Sequence, residues 1–231
     1  MTERYEARRY WSERLESRFD LSGTGHQDYS PAYNEWLYKA KHRALDRALK
    51  GVILPGDRVL DIGSGTGWVV ENLLRRGAAV TGCDIAPVSV ERLSDRFPDT
   101  TFHQCQIGAE PLPGEDGSYD IVTAMDVIYH VTDDQAFEAG LAEIARVLGP
   151  GGHLVATDRL GEENHDDADH VRFRSRRTWD AAAGQLGLER VRVVPMYRWL
   201  SGPRDRRILR RIPDRVRGPL EYFFETAAPV R

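Results

Sequence analysis

Three closely spaced glycines lie between two acids of the chain, Asp61 and Asp84. Gly63, Gly65 and Gly67 are separated by single residues. Asp61 precedes them, and Asp84 follows the next apolar run of the chain. Glycine accepts unusual backbone dihedrals and lets a ligand approach the main chain closely. An acid after the second strand is placed to hydrogen-bond a ribose diol, so the pattern predicts a nucleoside-binding turn.

The spacing of the glycines distinguishes a dinucleotide ligand from a nucleoside ligand without phosphate. Dinucleotide-binding turns favour G-x-G-x-x-G, in which the turn and the helix N-terminus hold a pyrophosphate. Here the spacing is G-x-G-x-G, and Asp61 would repel a phosphate but attract the ammonium group of an amino acid. S-adenosylmethionine carries an ammonium group and a ribose diol but no phosphate, so it fits this turn.

The segment from Asp61 to Gly67 resembles motif I of the class I, Rossmann-like, S-adenosylmethionine-dependent methyltransferases. Asp84 is similar to the acid with which these enzymes bind ribose. Other segments that resemble the family lie at residues 102–111, 124–131 and 148–153. The resemblance implies S-adenosylmethionine as the cofactor. The cofactor-binding residues that it implies are Asp61, Gly63, Ser64, Gly65, Gly67, Asp84, Ile85, Gln106, Ile107 and Met125.

The chain departs from the family's pattern after the third strand. Many relatives carry an acid there that binds the adenine amine, whereas this chain has Gln106. The side-chain amide of Gln106 can still accept a hydrogen bond. We therefore expect Gln106 and Ile107 to flank the adenine. The family's last, antiparallel strand would fall near residues 220–226.

Polar side chains after the fourth strand are the first candidates for catalysis. Ligands in open α/β sheets bind at the carboxyl ends of the strands, which places Asp126, Tyr129 and His130 at the site. His130 is the best base by its intrinsic pKa, although packing or capping explains it equally well. A base is needed only if the acceptor's nucleophile arrives protonated.

Aromatic side chains are dense near the N-terminus, and we expect residues 1–50 to form a helical lid. The candidates for contact with the acceptor substrate are His26, Tyr29, Tyr33, Trp36 and, after the fifth strand, Asp158. Aromatic faces around a sulfonium supply cation–π stabilisation and exclude water. Covering the edge of the sheet is the alternative role for each aromatic side chain.

Strand-type and helix-type patterns alternate along the chain and predict an α/β fold. Strands are predicted at residues 58–62, 79–83, 101–105, 119–124 and 153–157, and helices at 5–19, 31–50, 68–76, 87–97, 133–148 and 176–186. The alternation indicates a doubly wound, mostly parallel sheet of order 3-2-1-4-5 within a domain of residues 51–231. An acidic loop is expected at residues 161–169 and a sixth strand at residues 189–194.

Composition limits the cellular setting and the partners. The net charge of -4 predicts no general attraction to nucleic acid or to an anionic membrane. Apolar runs are too short to span a bilayer, and two cysteines indicate a reducing compartment, so we expect a cytoplasmic protein. No metal is expected, because the acidic run at 162–170 is typical of a solvated loop and Arg159 follows Asp158 where metal-dependent relatives carry an Asp-Asn pair.

The leading hypothesis is a methyltransferase that acts on an O, N or C centre of a small molecule in specialised metabolism. Three alternatives stay open. The first is an RNA methyltransferase, which ten arginines between residues 190 and 217 favour because they attract RNA. A non-catalytic S-adenosylmethionine-binding protein and a nucleotide-dependent oxidoreductase are the others.

Overall fold

The computed structural model describes residues 5–26 and 30–196 of the 231-residue chain. These residues divide into two compact units. The first contains residues 5–16 and 51–191, and the second contains residues 17–26, 30–50 and 192–196. The division differs from the predicted boundary at residue 50, because most of the first helix groups with the sheet. A lid function for residues 1–50 stays a prediction.

A five-stranded parallel sheet forms the centre of the first unit. Its strands are β1 Arg58–Ile62, β2 Ala79–Asp84, β3 Thr101–Gln104, β4 Tyr119–Ala124 and β5 Leu148–Ala156. They pair in the order β3-β2-β1-β4-β5, which confirms the predicted order and the doubly wound α/β fold. The winding reverses between β1 and β4, and such sheets bind ligands at the carboxyl ends of the strands beside this reversal.

Apart from the short helix at residues 21–24, where the sequence predicts a turn, the helices begin and end close to the predicted positions. They are α1 Ala7–Ser17, α2 Leu21–Thr24, α3 Pro31–Leu49, α4 Trp68–Leu74, α5 Pro87–Arg96, α6 Asp134–Val147 and α7 Arg176–Gln185. Local signals fix their starts: Asp133 accepts a hydrogen bond from the Ala136 N–H at 2.8 Å, and Pro87 occupies the first turn of α5. Within the described residues, no helix is both long and apolar enough to cross a bilayer.

The hydrophobic core of the first unit lies between the sheet and α6. Leu60 and Val122, from the two central strands, have no exposed surface, and Ile144 of α6 is equally buried in the same cluster. Strands in a parallel sheet are covered on both faces, which explains why all but one residue in each of β1 and β4 is buried. This packing holds the carboxyl ends of the central strands in fixed positions.

Three elements differ from the sequence-based prediction. An antiparallel hairpin, β6 His165–Ala168 with β7 Val171–Phe173, replaces the expected acidic loop. Arg172 pairs with Asp166 at 3.0 Å, which offsets the charge of the acidic run. Strand β5 begins at Leu148 rather than at residue 153, because a register irregularity in its pairing with β4 accommodates the glycine-rich turn.

The prediction of a strand at residues 189–194 is wrong. The structure shows neither helix nor strand there, and Val191 and Val193 are exposed. A valine-rich alternation forms a strand only where a neighbouring strand offers hydrogen bonds and a covered face. The family's final strand, near residues 220–226, lies outside the described residues.

The second unit is built around α3. Ser30 caps this helix by accepting a hydrogen bond from the Tyr33 N–H. The Asn34 side chain accepts from the His26 N–H and donates to the His26 carbonyl, both at 2.9 Å. Near the other end of α3, Arg47 donates to the carbonyl of Pro195 at 2.7 Å. These bonds connect the parts of this unit that lie far apart in the sequence.

Arg174, directly after β7, joins the hairpin to the start of α6. Its side chain is fully buried, and Nη2 donates to the Val131 carbonyl and to an Asp134 carboxylate oxygen, both at 2.9 Å. Arg172, two residues earlier, also pairs with Asp134, but it keeps a quarter of its side chain exposed. The two arginines share one carboxylate partner and differ in burial.

Arg174→Ala should lower the free energy of unfolding by about 3 kcal/mol, because a fully buried side chain is removed and the Val131 carbonyl loses its donor, while Asp134 keeps Arg172. Arg172→Ala is the matched control and should cost about 1 kcal/mol or less, since its pair is partly solvated. Urea unfolding of both variants measures the difference. Equal costs would contradict the role given to the buried arginine.

Candidate active site

The glycine turn adopts a backbone that other residues rarely accept. The φ angles of Gly63, Gly65 and Gly67 are 69°, 52° and 84°. Gly67 is also the N-cap of α4. The N–H groups of Gly63 and Ser64 donate to the Cys83 carbonyl at 2.8 and 3.0 Å. The turn is therefore attached to the end of β2 as well as to β1.

Close packing adds a second constraint at Gly63. A Cβ atom at this position would overlap with a methyl group of Val127, in the segment after β4. Both residues line the same cavity. Glycine is thus required here for packing between two loops of the site as well as for its φ angle.

Asp84 holds the turn through its carboxylate. One oxygen accepts from the Gly65 N–H at 2.7 Å, and the other accepts from the Ala86 N–H at 2.8 Å. Burial raises the pKa of this carboxyl to about 6, and the two backbone hydrogen bonds oppose that change. Asp84 does not line the cavity, whereas its neighbour Ile85 does. The predicted ribose contact would have to share oxygens that already serve the turn.

Asp61 is buried at the end of β1 with one unsatisfied oxygen. Its Oδ1 accepts from the Thr123 hydroxyl at 2.6 Å, while Oδ2 is buried and has no hydrogen-bond partner within the described residues. Burial raises the pKa of Asp61 to about 7, and the Thr123 hydrogen bond opposes the increase. A buried acceptor without a donor is costly, so the site favours a cationic or hydrogen-bonding ligand at this oxygen.

A cavity of about 850 Å³ lies at the carboxyl ends of the first four strands. Its size falls in the upper part of the range for small-molecule sites, roughly 300–1,000 Å³. Of the residues predicted from the sequence, those lining it are Gly63, Ile85, Gln106, Ile107 and His130. The predicted cofactor-binding residues that are buried without lining it are Asp61, Ser64, Gly65, Gly67, Asp84 and Met125.

Residues after β3 form one end of the cavity. Cys105, Gln106 and Ile107 line it there, beside Ile85 from the end of β2. The Gln106 N–H donates to Glu110 at 2.7 Å, so the backbone of this segment is fixed while the Gln106 side chain lines the cavity. This position agrees with the predicted adenine site, and the contact itself stays a prediction.

The segment after β4 holds the candidate catalytic residues. Asp126 has a φ of 61°, a left-handed backbone that only glycine adopts without strain. Its N–H donates to the Thr157 hydroxyl at 2.6 Å, and that hydroxyl donates to Asp126 Oδ1 at 3.2 Å. Tyr129 packs against Phe173 with ring centroids 5.0 Å apart and does not line the cavity. Of the three candidates, only His130 does.

The His130 ring is hydrogen-bonded through one nitrogen. Nδ1 lies 2.7 Å from the His170 carbonyl oxygen. Burial lowers the pKa of His130 to about 4, although the hydrogen bond to the carbonyl acts in the opposite direction. The ring is therefore neutral at pH 7. A neutral imidazole can take up a proton, which is the state that a general base requires.

Several cavity residues were not predicted from the sequence. Tyr5, which precedes α1, and Trp11 of α1 both line the cavity. The Trp11 ring meets the His130 ring edge-on, with centroids 4.8 Å apart. Asp169, in the turn of the β6–β7 hairpin, lines it as well. The aromatic pair Tyr10-Trp11 in the first predicted helix is the signal that could have identified this wall.

The predicted acceptor-binding residues are spread over both units. His26, Tyr33 and Trp36 lie in the second unit and do not line this cavity, while Tyr29 lies outside the described residues. Asp158 accepts from Trp179 Nε1 at 2.6 Å and so ties β5 to α7. A role of these residues in acceptor binding stays a prediction. Over the described ranges, no three His, Cys, Asp or Glu side chains group closely enough to hold a metal ion.

Known proteins resemble the central part of this chain. Residues 59–152 match the family model of a methyltransferase domain. Over 121 residues the chain is 37% identical to a ubiquinone biosynthesis O-methyltransferase of Hahella chejuensis, which covers 51% of this chain and 50% of that relative. Over 109 residues it is 36% identical to a demethylmenaquinone methyltransferase of Tropheryma whipplei, with coverages of 46% and 43%. The match thus spans about half of these relatives or less.

A solved structure extends the likeness in fold. The 1,6-didemethyltoxoflavin-N1-methyltransferase of Burkholderia thailandensis, solved with 1,6-didemethyltoxoflavin and S-adenosylhomocysteine, superposes with a TM-score of 0.56. It is 20% identical, and the superposition covers 85% of this chain and 87% of that one. The parallel sheet and the glycine turn have the architecture of the class I, S-adenosylmethionine-dependent methyltransferase fold. The match to the methyltransferase-domain model is confined to residues 59–152, less than half of the chain.

Asp84→Ala should lower the free energy of unfolding by about 3 kcal/mol, because two buried backbone N–H groups lose their acceptor. Asp120→Ala is the control: Asp120 also accepts from a backbone N–H, that of Arg58, but its side chain is 42% exposed. The control should cost about 1 kcal/mol or less. Urea unfolding measures both. Unchanged stability together with lost cofactor affinity would show instead that Asp84 serves ribose alone.

Affinity for S-adenosylhomocysteine should depend on pH through Asp61. Its raised pKa keeps the carboxyl protonated below about pH 7, and the ligand's ammonium group favours the ionised form. Binding should therefore release a proton, and affinity should be about 20-fold weaker near pH 5.5 than near pH 7.5.

Calorimetry in buffers of different ionisation enthalpy measures both the affinity and the released proton. Asp61→Asn keeps the shape of the side chain and should bind weakly with little pH dependence. Equal affinity of the unchanged protein at the two pH values would contradict an Asp61–ammonium contact.

Proposed function

We propose that this protein transfers the methyl group of S-adenosylmethionine to an O, N or C centre of a small molecule. The observation that carries the proposal is a cavity lined both by His130 and by four of the residues expected to hold the cofactor, which are Gly63, Ile85, Gln106 and Ile107. Two further features fit the cofactor. Asp61 offers a buried oxygen without a partner in the described part of the chain, and the glycine turn gives the backbone conformation that the family uses.

When bound, S-adenosylmethionine supplies a methyl group on a positively charged sulfur. The acceptor's lone pair forms a bond to the methyl carbon while the carbon–sulfur bond breaks, and the product is the neutral thioether. Because this methyl group is already activated, the protein's main task is to align the acceptor and keep water away. Tyr5 and Trp11 help to enclose the cavity in which this alignment takes place.

His130 is proposed to remove a proton from acceptors that arrive protonated. The carbonyl of His170 can only accept a hydrogen bond, so the neutral His130 ring donates from Nδ1. Nε2 is then the nitrogen that takes up the acceptor's proton. The low pKa makes His130 a weaker base than an ordinary histidine, so its contribution should lie at the lower end of the usual range.

The charge of the cavity supports a small molecule over RNA as the acceptor. Glu6, Asp133 and Asp169 line it, and no Lys or Arg does so among the described residues. Such a lining disfavours a polymer that carries a phosphate on every nucleotide. The arginine-rich region at 190–217 lies mostly outside the described residues.

The expected role in specialised metabolism and the quinones in the relatives' names share one feature, a small acceptor. We propose that the acceptor belongs to the wider class of small molecules, and that the protein acts in the cytoplasm, as expected from its two cysteines. The lid is proposed to include α1, since Trp11 lines the cavity.

Transfer from methyl-tritiated S-adenosylmethionine to a panel of phenols, amines and activated methylene compounds tests the function. Binding of S-adenosylhomocysteine is measured on the same preparation. Labelling of at least one compound is expected. Labelling of total RNA without any small molecule would contradict the proposal, and cofactor binding without transfer to either class would favour a non-catalytic binding protein.

His130→Ala should lower kcat by about 10²-fold with a protonated acceptor and leave affinity for S-adenosylhomocysteine unchanged. His103→Ala, at an exposed position on β3, is the control and should leave both values unchanged. Steady-state kinetics and calorimetry measure the two effects. A change confined to the acceptor's KM would mean that His130 positions the acceptor and does not take its proton.

A further inference from the structure

His170 lies in the middle of a column of rings at the wall of the cavity. Its ring stacks on Tyr10 of α1 with centroids 4.8 Å apart and on His130 at 5.6 Å, with an angle of 9° between the two imidazole planes. Tyr5 packs against the same ring at 6.1 Å. His170 belongs to the two-residue turn between β6 and β7, so the hairpin inserts this ring between α1 and the segment after β4.

The same residue also contacts His130 through its backbone. The His170 carbonyl oxygen lies 2.7 Å from His130 Nδ1, while the two rings stack. Ring stacking and the hydrogen bond together restrict both the plane of the His130 ring and its rotation. The hydrogen bond made by one ring nitrogen decides which nitrogen of a neutral histidine carries the proton.

Groups behind the column hold His170 itself. Tyr10 Oη lies 3.4 Å from His170 Nε2, and Arg14 donates to the same hydroxyl at 2.8 Å. The charged and titratable groups that act on His130 are Arg14 from α1, His170 from the hairpin and Asp126 from its own segment. Elements far apart in sequence therefore meet at His130.

We propose that His170 is a positioning residue that fixes His130 in the tautomer protonated at Nδ1, leaving Nε2 to accept a proton from the acceptor substrate. The kinetic part of this proposal rests on the proposed function. Its structural part, the tautomer and its dependence on His170, does not. His170 thereby acts on the reaction through His130 and without touching the reacting atoms.

Nitrogen-15 NMR of histidine-labelled protein tests the structural part, with the His130 signals assigned by their loss in His130→Ala. The unchanged protein should show His130 protonated at Nδ1. In His170→Ala the backbone carbonyl remains, but the stacked ring that holds it against His130 Nδ1 is lost. The pattern should therefore move towards protonation at Nε2 or towards exchange between the tautomers. His170→Phe keeps a ring in the column and should retain the original pattern.

His165→Ala, at an exposed position of the same hairpin, is the control and should leave the His130 signals unchanged. Circular dichroism checks that each variant is folded. A signal from the unchanged protein that shows protonation at Nε2 would overturn the proposal, and so would a folded His170→Ala with an unaltered His130 tautomer. The measurement on the unchanged protein needs no variant, so it can contradict the proposal even if His170→Ala fails to fold.

Kinetics test the functional part. His170→Ala should lower kcat about 10-fold with unchanged affinity for S-adenosylhomocysteine, and His170→Phe should stay within about twofold of the unchanged protein. In the His130→Ala background, adding His170→Ala should cause no further loss, because both changes act through one side chain.

The outcomes separate the two proposals. If His130→Ala leaves the rate unchanged while the tautomer still depends on His170, the proposed role of His130 as a base is wrong and the positioning role of His170 is retained. If His130→Ala lowers the rate and the tautomer is independent of His170, the base stands and the positioning role is wrong. A full additional loss in the double variant would show that His170 acts on catalysis by another route.

Discussion

Two carboxylates are buried at the carboxyl ends of β1 and β2, and the rest of the site is arranged around them. An ionised carboxylate loses several kcal/mol of solvation when it leaves water, so each one needs compensating partners. Asp84 receives two backbone N–H groups, one from the glycine turn and one from the start of α5. Asp61 receives a single hydroxyl and keeps one oxygen without a partner in the described region. One acid therefore shapes the turn, and the other keeps an oxygen that no described group of the protein satisfies.

The central sheet was predictable because its signals are local. The bounds of β1 and β4 agree with the sequence-based prediction, since each is a short apolar run ended by a polar or glycine-rich turn. Helix α6 was equally clear from its acidic start and its spacing of apolar residues. The turn at 63–67 follows from the need for positive φ angles, which glycine alone meets without strain.

The wall of the cavity was not predictable because its contacts join distant parts of the chain. Nothing near Tyr10 indicates that it stacks on His170, and nothing in the acidic run at 162–170 indicates a hairpin. Arg172 and Arg174 stabilise that hairpin by pairing with Asp134, which lies in another element. The density of aromatic residues at 26–36 predicts a substrate-binding role for that segment, whereas the aromatic side chains of Tyr5 and Trp11 line the cavity.

The contact between Tyr10 and His170 spans 160 positions of the chain. During synthesis from the N-terminus, α1 emerges long before the hairpin that completes its packing. Contacts with such a large sequence separation form late, because the intervening chain must first be ordered. The glycine turn, by contrast, needs only β1, β2 and the segment between them. A nascent chain would therefore acquire its nucleoside-binding turn well before it acquires the wall beside His130, and the aromatic side chains of α1 would stay uncovered in the interval.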